Sequence, residues 1–166
     1  SSPTLHLIGV AEVHYWHGYD RLIHGLGEYY RQYHDKEIYF HIVGGVWKSE
    51  MYHSQHAPGF HELITYYHIE KQVIFHGQRM GKELDELFDL ADFAIGSLAR
   101  HRSHIDKIKT LKNREYAARG IPFIYSETDE DFDRMPYILK HLPMKVPSIS
   151  QRLSGSAQLS IFPRNK

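Results

Sequence analysis

Lys109-Thr110-Leu111-Lys112-Asn113-Arg114-Glu115-Tyr116-Ala117-Ala118-Arg119-Gly120-Ile121-Pro122-Phe123-Ile124 reads as a helix that closes on a glycine and hands the chain to a buried strand. Gly120 can stop the helix in a left-handed conformation. Pro122 cannot continue a helix but can open a strand. Lys112 and Glu115 stand three residues apart and share a helix face, so an acid and a base are expected to point together beside a strand end. In open α/β sheets ligands bind there, in the crevice at the carboxyl edge of the strands. A polyhydroxyl or phosphate ligand suits such a pair.

The same alternation runs outward along the chain. Apolar runs at residues 5–11, 38–43, 73–76, 93–98 and 122–126 predict strands, with a short sixth at 137–141. Helices are predicted at 18–33, where Leu22, Ile23, Leu26 and Tyr30 form an apolar stripe, at 60–68, at 81–90, and in the segment ending at Arg119. Residues 46–59, rich in His and Ser, read as a loop. Leu84, Leu87, Phe88 and Ala91 have helical spacing and belong to a core. Right-handed crossovers arrange these elements as an α/β fold: a single doubly wound Rossmann-like domain with a mainly parallel sheet of about six strands, in order 3-2-1-4-5-6. Residues 1–143 make up the domain and 144–166 an irregular tail, with no internal repeat or linker.

A chain of 166 residues is long enough for one domain with its own core. Twenty basic and twenty acidic residues balance, so no global field recruits nucleic acid or an anionic membrane, and any anion site is local. The lack of cysteine excludes disulfides, thiol catalysis and cysteine-ligated zinc, and suits a cytoplasmic protein. No run of about 18 apolar residues predicts a membrane span, and no signal peptide precedes the first strand. Ser1-Ser2-Pro3-Thr4 stand directly before that strand, which reads as the start of an excised domain.

Residues 10–21 carry the chain from the first strand into the first helix. Amides at a helix start are unpaired and the dipole is positive there, so the backbone after His17-Gly18 can hold a diphosphate; the other reading of Gly18 is a plain turn. The connection 97–109 holds Arg100, His101, Arg102, His104, Lys107 and Lys109, the densest positive patch, which either supplements an anion site or is a solvated loop. His14/His17, His53/His56 and His101/His104 recur at i, i+3. Zinc needs three or four ligands and a second shell, and no carboxylate stands at motif spacing, so neither metal nor other cofactor is expected. Gly25-Leu26-Gly27 falls inside a helix and is not a dinucleotide fingerprint. His76-Gly77-Gln78-Arg79-Met80-Gly81-Lys82 is not a P-loop, because its glycines are too close and Glu83 follows the lysine.

Glu115-Tyr116-Ala117-Ala118-Arg119-Gly120-Ile121-Pro122-Phe123-Ile124 resembles the donor-site motif in the C-terminal halves of retaining GT-B glycosyltransferases, family 4 in particular. The resemblance covers roughly residues 5–143. It implies the donor-binding half of an enzyme that transfers a sugar from a nucleoside diphosphate sugar, a UDP- or GDP-sugar, to an acceptor hydroxyl with retention. Surface polysaccharide or glycan biosynthesis is the implied setting, in the cytoplasm or at the inner face of the membrane. A glycan or lipid-linked acceptor would bind through an N-terminal domain outside this chain, and the half alone would be inactive. Residue by residue, the resemblance implies that Glu115 accepts from the ribose hydroxyls and that Lys112 lies near the diphosphate. Trp16-His17-Gly18-Tyr19-Asp20-Arg21 resembles the donor turn of a subset of these enzymes, with His17 donating to a phosphate oxygen and Arg21 either supplying charge or pairing with the helix's own acids in a structural role. Gln78 and Arg79 would meet the base, the other reading of Arg79 and Lys82 being solvated charges, and Asp92 in Ala91-Asp92-Phe93 would be structural.

The chain departs from that pattern at three places. The family's first glutamate falls on Lys107, its Gly-Arg on Val10-Ala11, and its turn lysine on His17. These departures support the alternative, a non-catalytic Rossmann-like binding or interaction domain with a decayed nucleotide site. A flavodoxin-like or nicotinamide-binding module lacks its acidic pocket and its glycine fingerprint here.

Overall fold

A computed structural model describes residues 4–33, 36–52, 58–98, 111–125 and 138–140. Six strands, β1 (Thr4–Val10), β2 (Glu37–Val43), β3 (Val73–Gly77), β4 (Phe93–Ile95), β5 (Phe123–Tyr125) and β6 (Ile138–Lys140), form one sheet in the order β3-β2-β1-β4-β5-β6. Every neighbouring pair is parallel. This is the order the alternation predicts. The helices are α1 (Tyr19–Gln32), α2 (Lys48–Met51), α3 (Phe60–Tyr67), α4 (Gly81–Leu90) and α5 (Leu111–Ala118). Sequence periodicity misses α2 inside the expected loop because a single turn is too short to carry a period. The expected tail, residues 144–166, lies outside the described residues.

Alternation along each strand splits the core into two layers. Leu7, Ile38, Phe40, Ile42 and Val73 face α1 and α3 and pack with Leu22, Ile23, Leu26, Phe60 and Leu63. Ile8, Val43, Ala94, Phe123 and Tyr125 face the other way, against Phe88 and Tyr116, with Leu84, Leu87 and Ala91 packed on them. Strands covered on both faces read as continuous apolar runs, which is why they were legible. β4 is shorter than its apolar run because Leu98 N turns out of the sheet to donate to the His17 carbonyl at 2.8 Å. Asp92 is structural as expected: its Oδ2 accepts from His6 N at 2.8 Å, and its own N–H donates to the His6 carbonyl at 2.8 Å.

Gly25-Leu26-Gly27 lies inside α1. A Cβ on Gly27 would sit 2.1 Å from Tyr67 Cγ, so the bare backbone is what lets α3 close on α1. In that seam the Tyr67 hydroxyl donates to Glu28 Oε1 at 2.5 Å and also bonds His24 Nδ1. A hydroxyl has one proton to give, so His24 donates from Nδ1 to the tyrosine oxygen.

Candidate functional site

At the carboxyl edge the chain stays paired beyond the strands. Ala11 N donates to the Val43 carbonyl at 2.9 Å, Val13 N to the Gly45 carbonyl at 2.8 Å, and Gly44 N to the Gly77 carbonyl at 2.8 Å. These bonds hold the segments after β1, β2 and β3 side by side. Between them lies a cleft of about 250 Å³ lined by Val10, Ala11, Glu12, Val43, Gly44, Gln78, Arg79 and Met80. Apolar walls with a few convergent polar groups are the make-up of a small-molecule site.

Gln78 and Arg79, expected on sequence grounds, both line this cleft. Gln78 Nε2 donates to Glu12 Oε1 at 2.9 Å, and Gly45 N reaches the same oxygen at 3.4 Å. Arg79 Nη1 donates to the Gln78 carbonyl at 2.8 Å, with its Nε 3.5 Å from Glu83 Oε2. Sequence reasoning passed over Glu12, since an acid has the wrong sign for a turn expected to hold an anion. Its position just past the apolar run of β1 was the signal that could have found it.

The turn before α1 is a 3-10 turn, Tyr15–His17, ending at Gly18 with φ 69° and ψ 24°. That left-handed conformation favours glycine, and Gly18 is also the N-cap of α1, so the turn and helix-start readings coincide. His17 is 7% exposed. Its Nδ1 accepts from His14 N at 2.8 Å and lies 3.3 Å from the His14 carbonyl, so the neutral ring carries its proton on Nε2. Arg21 is 6% exposed, and its Nη1 donates to the Leu98 carbonyl. The structure thus places Arg21 as a tie between α1 and the segment after β4 rather than at the surface of the turn. His14 stacks on Trp16 at 4.3 Å between ring centroids and leans on Trp47 at 5.0 Å, leaving Trp47 57% exposed.

α5 turns Asn113 and Tyr116 to the sheet. The Tyr116 hydroxyl accepts from Val10 N at 3.2 Å and donates to the Ile95 carbonyl at 3.1 Å, bridging β1 and β4 where the strand order reverses. Burial pushes this phenol well above the usual tyrosine range, so it stays protonated. Glu115, one residue earlier, is turned outward. Its Oε1 is 3.5 Å from Arg119 Nη2, and Arg119 Nη1 donates to Asp85 of α4 at 2.7 Å. Lys112 lies in the first turn of α5. The structure therefore gathers Glu12, Gln78 and Arg79 in one cleft, with Tyr116 bonded to its wall at Val10. His17 and Gly18 stand at the start of α1, and Glu115 stands on the outer face of α5. The basic patch at 100–109, along with His53 and His56, lies outside the described residues. Among the described residues no group of three or more His, Cys, Asp or Glu could hold a metal ion, and no helix is long and apolar enough to cross a membrane.

Solved structures share this fold. The C-terminal domain of a glycosyl transferase group 1 family protein (LpcC) from Francisella tularensis matches 95% of this chain and 76% of its own at a TM-score of 0.60 and 14% identity. A trehalose-6-phosphate synthase examined with bisubstrate glycomimetics, for glycosyl transfer with retention, matches 97% of this chain at a TM-score of 0.57 and 9% identity. Trehalose-6-phosphate synthase OtsA matches 95% at 0.53 and 12%. The chain spans 38% and 39% of those two synthase chains. At such identities the likeness is one of fold, that of a GT-B C-terminal domain. No protein-family model matches the sequence, and no curated protein does.

Proposed function

We propose that this chain is the donor-binding domain of a retaining glycosyltransferase and holds a nucleoside diphosphate sugar along its carboxyl edge. The cleft over β1, β2 and β3, in a domain with this fold, carries the reading. Base and ribose occupy the cleft among Val10, Val43, Gln78, Arg79 and Met80. The diphosphate lies toward the start of α1, where the positive end of the helix dipole and the His17 ring face it. Glu115 exchanges Arg119 for the ribose hydroxyls, and Lys112 adds a charge near the phosphates. Catalysis then consists of orienting the donor and stabilising the departing diphosphate. The acceptor, a glycan or lipid-linked sugar of surface polysaccharide synthesis, binds a second domain beyond this chain, in the cytoplasm or at the inner membrane face.

Thermal melting with UDP, GDP, ADP and their sugars tests this. A ligand at one hundred times its dissociation constant adds about 2.7 kcal/mol, and each kcal/mol moves the midpoint by roughly 2–4 °C at this size. One nucleotide should raise the midpoint, and Glu115→Ala should lose that rise. No shift with any nucleotide at millimolar concentration would transfer the weight to a non-catalytic interaction domain, a reading favoured by the burial of Arg21 away from the turn surface.

A further inference from the structure

Gln78 and Glu12 come from loops 66 residues apart in sequence, yet both line the cleft and are hydrogen-bonded to each other. Facing a carboxylate, the Gln78 amide must turn its Nε2 inward, since a carbonyl oxygen there would repel it. The row therefore runs Gln78 Nε2, Glu12 Oε1, Glu12 Oε2: a donor followed by two acceptors. Nε2 gives one hydrogen to Oε1 and keeps a second.

Other features keep the carboxylate at this place. Its backbone lies between the Ala11–Val43 and Val13–Gly45 hydrogen bonds, and Gly45 N points at Oε1. A Cβ on Gly45 would fall 2.7 Å from Oε2, so that glycine leaves the carboxylate its room. The remaining walls are flat-ligand chemistry. Val10 and Val43 are apolar, and Met80, 78% exposed, offers an adaptable thioether for a ring face.

We propose that this cleft selects guanine, the Gln78–Glu12 row matching the base's pairing edge as cytosine does. This rests on the donor-binding reading above and names its nucleotide. Guanine presents an acceptor, O6, then two donors, N1–H and N2–H. O6 takes the second hydrogen of Gln78 Nε2, and Glu12 takes N1–H and N2–H as a bidentate, charge-assisted pair. Uracil presents acceptor, donor, acceptor, so one of its carbonyls would face the carboxylate. Adenine sets an amine against the Gln78 amine and a ring lone pair against Glu12.

Calorimetric titration of the full chain with GDP, UDP and ADP tests the match, using wild type and Glu12→Gln. Wild type should bind GDP on the order of tenfold more tightly than UDP, the scale of one bidentate base contact. In Glu12→Gln the row becomes donor, acceptor, donor, which fits uracil, so GDP should weaken and UDP tighten. Gln78→Glu, which removes the O6 donor, should weaken GDP independently. An unchanged melting midpoint without ligand verifies the fold of each variant. Wild type binding UDP or ADP as tightly as GDP overturns the guanine assignment and leaves the donor-binding reading standing, as does equal loss of GDP and UDP in Glu12→Gln. Wild type binding no nucleotide overturns both.

Discussion

One residue's rotation on α5 separates two roles. Each step along a helix turns a side chain by about 100°, so Tyr116 enters the sheet while Glu115 faces out. Tyr116→Phe removes a hydroxyl that serves both Val10 N and the Ile95 carbonyl. Leaving buried backbone groups without that partner costs about 1–3 kcal/mol, and a lower urea midpoint should report it. Glu115→Ala should leave the midpoint nearly unchanged, because an exposed ion pair with Arg119 adds little, while abolishing nucleotide-induced stabilisation. The helix that carries Glu115 was legible from its glycine and proline context. Glu12 was not, since its sign argued against it and its partner Gln78 is distant in sequence. The sequence left Arg21 between a phosphate charge and a structural pairing, because an Arg one turn into a helix gives no sign of which way its guanidinium is drawn.

Between elements, two packing devices carry consequences. On α1, Gly27 faces the Tyr67 ring of α3, so Gly27→Ala should push the helices apart and lower stability by about 1–3 kcal/mol, as overpacking does, measurable by urea unfolding. Across the sheet, His6 of β1, His41 of β2 and His76 of β3 form a hydrogen-bonded chain, with His6 Nδ1 to His41 Nε2 at 2.9 Å and His41 Nδ1 to His76 Nε2 at 2.8 Å. Burial, then the neighbouring His76 and His6, lowers the His41 pKa from 6.5 to about 4. The unfolded chain therefore takes a proton at His41 that the folded one refuses. The contribution of His41 should be flat above pH 6.5, fall as pH drops from 6.5 toward 4, and level off below. The loss should reach about 2 kcal/mol by pH 5. Urea midpoints at pH 7.5 and 5.0 should differ accordingly, and His41→Phe should reduce the difference.

Taken whole, the domain gathers Glu12, Gln78 and Arg79 at the carboxyl edge of its sheet, and on the proposed reading a second domain would close over that edge. The 166-residue chain alone should bind donor and show no sugar transfer from it to glycan acceptors; measurable transfer would overturn the two-domain reading. The amino-acid sequence by itself determined the sheet and its strand order. Apolar runs, caps and turns are local, and right-handed crossovers leave few ways to join them. It also determined the helix start at Gly18 and the turn that presents Gln78 and Arg79, since these depend on neighbours along the chain. Only the tertiary structure decided which charges face the cleft. β1, β2 and β3 must lie in register before Glu12 meets Gln78, and α5 must dock before Tyr116 enters the sheet and Glu115 turns to Arg119. Such pairings join residues dozens of positions apart, where spacing along the chain carries no information about distance in space.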